Sequence, residues 1–327
     1  MAVYTHLGTD QLAALIAQYD VGDLISAKGI AEGVSNSNWL IETTGQDGTG
    51  ARFILTMYER RIDLDDLPFF LGLLDHLSAK TSPVPRTIHD SDGNASRLLD
   101  GKAVALIEFL PGVSIDDPTI NQARAVGRAL AGIHLASEDF PAQRDNDLRP
   151  KDWQSLFDQC GAKLGEIDPS LPDAVSSAMP RLLSQWPEGL PRATIHADLF
   201  PDNVLMLGDT VSGLIDFYFA CTDIAAYDLA ITHVAWCFGS GGGTYRPAIG
   251  SALVAGYEEI RPLSEMERAA LPLLAQGAAM RFIATRAYDW IDTPEGALVE
   301  RKDPMDFVRR LEFYASAGSA PFIPIAS

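Results

Sequence analysis

Three side chains near the middle of the chain, Asp198, Asn203 and Asp216, have the types and spacing for phosphoryl transfer. They lie in Thr194-Ile195-His196-Ala197-Asp198-Leu199-Phe200-Pro201-Asp202-Asn203-Val204-Leu205 and, after a short turn, Val211-Ser212-Gly213-Leu214-Ile215-Asp216-Phe217. Two short apolar strands separated by turn residues predict a hairpin. One strand begins just after Asn203 and the other ends on Asp216, so pairing brings both residues to one end of the ladder. A loop carrying Asp198 lies just beyond. Moving a γ-phosphoryl group calls mainly for positioning and charge neutralisation. Mg²⁺ takes hard oxygen ligands, which Asn203 Oδ1 and Asp216 can supply. Asp198 is then free to orient an acceptor hydroxyl and take its proton.

A polar turn would explain Asp202 and Asn203 by turn propensity alone. It would not explain His196, Asp198, Asn203 and Ile215-Asp216-Phe217 falling together at the spacing described for kinases. His196 and His134 read as structural histidines that pack and hydrogen-bond, because Asp198 already supplies the proton acceptor. Asp228, in a helix interior, reads as an acid bracing the catalytic loop.

The elements that must position these groups fall into two sets. Thr9 caps a first helix bearing Leu12, Leu15, Ile16 and Tyr19 on one face. Strands follow at 25–31, 38–43 and 52–58, then a helix at 64–79 and strands near 84–88, 96–99 and 102–109. Pro111-Gly112 breaks the chain. Beyond it helices are expected at 119–137, 152–165, 171–186, 223–237, 246–259, 264–291 and 304–316, interrupted by the β island at 194–217. The expected fold class is α+β and bilobal: residues 1–107 form an antiparallel-sheet lobe, 108–112 a hinge, and 113–327 a mainly helical lobe carrying the catalytic and metal residues.

Composition narrows the function. Asp and Glu number 44 against 25 Lys and Arg, a net charge of −19, and the basic pairs are isolated. Neither nucleic acid nor an anionic membrane is an expected partner. Hydrophobic residues reach 47%, enough for a substantial core. The stretch 214–238 is apolar, but Asp216, Asp223 and Asp228 interrupt it, which argues against a membrane span. Three cysteines with no CxxC pair argue against a disulfide framework. The N-terminus lacks the features of a signal peptide, so a cytoplasmic location is expected.

His196-Ala-Asp-Leu-Phe-Pro-Asp-Asn203 with Ile215-Asp-Phe217, together with Leu130-Ala-Gly-Ile-His134 and Tyr227-Asp-Leu-Ala230, closely resembles the aminoglycoside-phosphotransferase and choline-kinase group, which has a protein-kinase-like fold. Gly29-Ile-Ala-Glu-Gly-Val-Ser-Asn-Ser-Asn38, Phe53-Ile-Leu-Thr-Met-Tyr-Glu59, Leu67-Pro-Phe-Phe-Leu-Gly-Leu73 and Asp216-Phe-Tyr-Phe-Ala-Cys221 look like the homoserine kinases of that superfamily. The resemblance implies ATP and Mg²⁺ as cofactors, and L-homoserine phosphorylated to O-phospho-L-homoserine for threonine synthesis. It makes Asp198 the catalytic aspartate and Asn203 and Asp216 the metal ligands. It puts the nucleotide loop at 29–38, with Gly33 allowing tight geometry and backbone N–H groups near Ser35 and Asn36 meeting phosphate. It lays adenine along Glu108 to Leu110.

One departure stands out. Where kinases of this fold often carry a strand lysine, this chain has Thr56. Arg60 or Arg61 is a possible substitute, and Asp65 or Asp66 a possible partner acid. A zwitterionic substrate needs a cation for its carboxylate and acids or carbonyls for its ammonium. Arg281 and Arg286 are the candidates for the first role, Tyr218 and Asp223 for the second. Two alternatives stay open: a kinase of choline, an aminoglycoside or a hydroxylated amino acid, and a nucleotide-binding pseudokinase. The oligomeric state is left open.

Overall fold

The computed structural model describes residues 7–30, 36–59, 63–239, 242–293 and 301–325. The chain divides into two compact units, Met1–Pro111 and Gly112–Ser327. Gly33, Ser35, Arg60 and Arg61 lie outside the described residues.

The first unit comprises α1 (Thr9–Ile16), β1 (Leu24–Ile30), β2 (Asn36–Thr43), β3 (Ala51–Tyr58), α2 (Leu67–Ala79), β4 (Thr87–Ile88), β5 (Arg97–Leu99) and β6 (Lys102–Glu108). The strands form one antiparallel sheet in the order β1-β2-β3-β6-β4, with β5 also on β6. Strand periodicity decides its faces. Phe53, Leu55 and Met57 alternate along β3, and the register sets them beside Trp39, Ile41, Val104 and Leu106. Leu12, Leu15 and Ile16 of α1 close this core. Gly8, rather than Thr9, is the N-cap of α1. Gln11 makes this workable by reaching back to accept the Gly8 N–H at 3.1 Å. Thr56 takes the other face, where its hydroxyl donates to Asn38 Oδ1 at 2.8 Å across the β2–β3 register. The strand position that lacks lysine is thus a buried, hydrogen-bonded one.

The second unit comprises α3 (Ile120–Ala136), α4 (Pro150–Cys160), α5 (Leu164–Ile167), α6 (Leu171–Gln185), β7 (Arg192–Ile195), β8 (Val204–Leu207), β9 (Thr210–Leu214), β10 (Cys221–Ile224), α7 (Ala225–Trp236), α8 (Pro247–Ile260), α9 (Glu265–Asp292) and α10 (Met305–Ala317). Strands β8 and β9 form the expected hairpin. The helix expected at 152–165 breaks after Cys160, because Gly161 turns left-handed at φ 53° and a single 3-10 turn follows. The helix expected from residue 223 begins at Ala225. Residues 221–224 instead pair antiparallel with β7, a long-range contact that no local pattern announces.

Every residue of α7 is buried, the polar Asp228, Thr232 and His233 among them, so this helix runs through the interior of the unit. Helices α3 and α8 approach so closely that a Cβ on Gly127 would overlap the Leu253 carbonyl, and one on Gly256 the Arg124 carbonyl. This contact sets His134 of α3 against Tyr257 of α8, with a 2.8 Å bond from ring Nδ1 to the phenol oxygen. Gly127→Ala should therefore cost about 1–3 kcal/mol through overpacking against backbone. Urea unfolding reads it directly, and an unchanged midpoint would mean that the two helices separate freely.

Candidate active site

The site is built outward from Asp228, a fully buried carboxylate on α7. Oδ2 accepts the His196 backbone N–H at 2.7 Å, and Oδ1 accepts the Ala197 N–H at 2.8 Å. His134 Nε2 approaches Oδ2 at 2.9 Å. Burial opposes ionisation here, but the His134 bond and the backbone donor of His196 outweigh it and hold the carboxyl below its usual range. Trp236, on the same helix, donates to the Leu199 carbonyl at 2.9 Å. Helix α7 thus grips the loop on both sides of Asp198.

His196 has a fixed tautomer. Its Nε2 faces the Ile215 carbonyl at 2.9 Å and must donate, while Nδ1 accepts the Asp198 N–H at 3.3 Å. Burial pulls its pKa down, so the ring is neutral. It staples the Asp198 loop to the residue preceding Asp216, and its ring lies 4.5 Å from that of Phe217.

Asn203 joins the remaining parts. Its Nδ2 donates to the Asp198 carbonyl at 2.8 Å and sits 3.4 Å from Asp198 Oδ2. Its own carbonyl accepts the Ile215 N–H at 3.0 Å, where the hairpin closes beside Asp216. Spending the amide nitrogen on Asp198 leaves Oδ1 without a hydrogen bond among the described residues. Asp216 adopts a left-handed conformation (φ 65°, ψ 60°). Ala197 does so too, at φ 62°. These are two of four non-glycine residues with positive φ among those described, and such strain clusters where surrounding structure over-determines a site.

Electrostatically the site is acidic. Burial pushes the Asp198 carboxyl up, the Arg281 charge acts against this, and Asp202 adds to the push. Desolvation and then the charges of Asp198 and Asp202 push the Asp216 carboxyl up. Asp216 keeps a solvent-exposed surface beside these acids. A divalent cation would relieve this crowding, and the donor set of one carboxylate and one free amide oxygen fits Mg²⁺, which fills its shell from phosphate and water. Among the described residues no group of three His, Cys, Asp or Glu could hold a metal ion by itself.

The remaining residues named from sequence take several positions. Asn36 opens β2 with its Oδ1 buried and without a hydrogen-bond partner among the described residues. Glu108 ends β6; its backbone N–H goes to the Arg86 carbonyl at 3.0 Å and its carboxylate accepts the Arg86 N–H at 3.2 Å. Glu108 and Leu110 line a recess of about 510 Å³ with Asp75, Pro83, Val84 and Arg86. Tyr218 lies just after Asp216, and its backbone N–H bonds that carboxylate.

Asp223 is not offered to a ligand. It is buried on β10, accepting Asn146 Nδ2 at 2.7 Å and the Ile224 N–H at 2.8 Å. Arg281 is 2% exposed and turned into the loop, so it does not stand open to an acceptor. Arg286 donates to the Asp303 carbonyl at 2.9 Å and pairs with Asp306 at 3.6 Å. Sequence reasoning missed Lys302, whose charge acts on both Asp198 and Asp216. About a hundred residues separate it from Asp198, and nothing local marks it.

Asp228→Ala would leave two loop N–H groups and His134 without their acceptor. We expect a loss of about 3–5 kcal/mol, the usual consequence of breaking a buried charged network. Chemical denaturation tests this, and a loss under about 1 kcal/mol would show that water replaces the carboxylate.

The profile of the Phosphotransferase enzyme family matches residues 26–263. A homoserine kinase of Granulibacter bethesdensis is 49% identical over 320 residues, covering 98% of each chain. A homoserine kinase of Gluconacetobacter diazotrophicus is 50% identical over 319 residues, covering 97% of this chain and 98% of the relative. Among solved structures, a spectinomycin phosphotransferase in complex with ADP and spectinomycin superposes with a TM-score of 0.72 at 13% identity, covering 96% of this chain and all of that one. The last likeness establishes the fold, which is α+β and protein-kinase-like. With a profile spanning most of the chain and relatives about half identical over nearly their whole length, the chain belongs to the phosphotransferase enzyme family and, within it, to the homoserine kinases.

Proposed function

We propose that this protein is a cytoplasmic homoserine kinase that transfers the γ-phosphoryl group of ATP to the hydroxyl of L-homoserine. The observation that carries the reading is the junction made by Asn203, whose amide nitrogen is bonded to Asp198 while its carbonyl bonds the residue preceding Asp216. The half-identical homoserine kinases supply the identity of the acceptor.

In this reading Asp198 orients the homoserine hydroxyl and accepts its proton as the new P–O bond forms. Asn203 Oδ1 and Asp216 would hold Mg²⁺. When bound, that ion supplies charge neutralisation for the phosphates. The backbone around Gly33, Ser35 and Asn36 meets the triphosphate. Adenine lies along the segment from Glu108 to Leu110, using backbone groups beyond the Glu108 N–H, which is already bonded to Arg86. Tyr218 borders the acceptor. Arg286 and Lys302, cations whose charges reach the Asp198 side of the site, are the partners for the substrate carboxylate.

ADP release from the purified protein with Mg-ATP, across L-homoserine, L-serine, choline, hydroxylysine and an aminoglycoside, tests the assignment. Saturable turnover with homoserine is expected, and preference for another acceptor would replace the substrate. Asp198→Ala should lower kcat by orders of magnitude while ATP still binds. Asp216→Asn should remove the Mg²⁺ dependence of nucleotide binding. Titrations with and without Mg²⁺ that differ as in the parent protein would refute Asp216 as a ligand.

A further inference from the structure

We propose that Arg281 is a positioning residue: its guanidinium holds the Ala197 carbonyl and so fixes the left-handed turn that aims the Asp198 carboxylate. This rests on the reading of Asp198 as the proton acceptor. Ala197 is an L residue with a Cβ at φ 62°, a conformation that collides with its own backbone and that only glycine adopts without cost. Such a residue persists when both of its peptide groups are tied down. On one side the Ala197 N–H is held by Asp228 Oδ1 at 2.8 Å. On the other the Ala197 carbonyl accepts a hydrogen bond from Arg281 Nη1. The turn is thus clamped from α7 and α9, elements that flank no part of the loop in sequence.

The surroundings of Arg281 suit this work better than ligand capture. Its guanidinium carbon lies 4.8 Å from the Phe282 ring centroid and 5.3 Å from that of Phe219, which fixes the plane of the fork. Nη2 rests 3.9 Å from Asp198 Oδ1, so the carboxylate is flanked by the cation that holds its loop. Nε is buried with no hydrogen-bond partner among the described residues. A sealed cation with an unused donor is costly to keep. Arg281 directs its donation to the one carbonyl that precedes Asp198. A lysine could not reproduce this, since it lacks the planar fork.

The test is steady-state kinetics of Arg281→Met, Arg281→Lys and Arg281→Met/Ala197→Gly beside Asp198→Ala, with ATP binding as the check of folding. Arg281→Met should lower kcat by about 100-fold, the scale of a displaced reacting group, with KM for both substrates within about threefold. Ala197→Gly in that background should restore roughly tenfold, because glycine takes the left-handed turn unaided. If Arg281→Met fails to bind ATP, Arg281→Lys with and without Ala197→Gly reads the same split. An unchanged kcat, a raised homoserine KM at constant kcat, or no recovery with Ala197→Gly overturns the proposal. Retained kcat in Asp198→Ala would overturn both this proposal and the reading beneath it. Collapse there with Arg281→Met unaffected would overturn the positioning role alone.

Discussion

A carboxylate with no access to water must find all of its hydrogen bonds within the protein, and Asp228 finds them in the loop that carries Asp198. Its two oxygens take the successive N–H groups of His196 and Ala197, and His134 completes the set. Because an unpaired buried charge is so unfavourable, the loop, α3 and α7 share one arrangement. Tyr257 extends the chain of bonds to α8, where glycines let two helices come close enough for it to form. The path from Gly127 to the Asp198 loop is therefore continuous: backbone contact, ring, carboxylate, amide.

That rigidity lets the site hold unfavourable features. Ala197 and Asp216 both sit in left-handed conformations, and the carboxylates of Asp198, Asp202 and Asp216 converge. His196 keeps the two strained segments in register through a neutral ring that donates to Ile215 and accepts from Asp198. A charged imidazole could not do this, since it has no acceptor nitrogen. The same logic separates the cations. Arg281 is sealed against the loop, while Lys302 is exposed and acts on the acids at longer range.

The position without a strand lysine fits the same economy of polar groups. Thr56 is buried with its hydroxyl committed to Asn38, so the sheet face there is closed by a cross-strand bond between neutral side chains. Asp223 is a parallel case. Its proximity in sequence to Asp216 suggested an open acid, but pairing of β10 with β7 turns it inward, where Asn146 neutralises its demand for donors.

The sequence by itself determined the chemistry and most of the elements. The spacing of Asp198, Asn203 and Asp216 is local, spanning one loop and one hairpin, so the period-two pattern and turn residues were enough to bring them together. The same held for α1, where helical spacing set Leu12, Leu15, Ile16 and Tyr19 on one face. Tertiary structure alone decided which polar residues remain available. Asp223 and Arg281 read identically as free charged groups in a linear chain. Each is committed by a partner distant in sequence: Asn146 and Ala197. Burial and hydrogen-bond commitment are properties of the packed molecule, and nothing in the residue type or its local pattern encodes them.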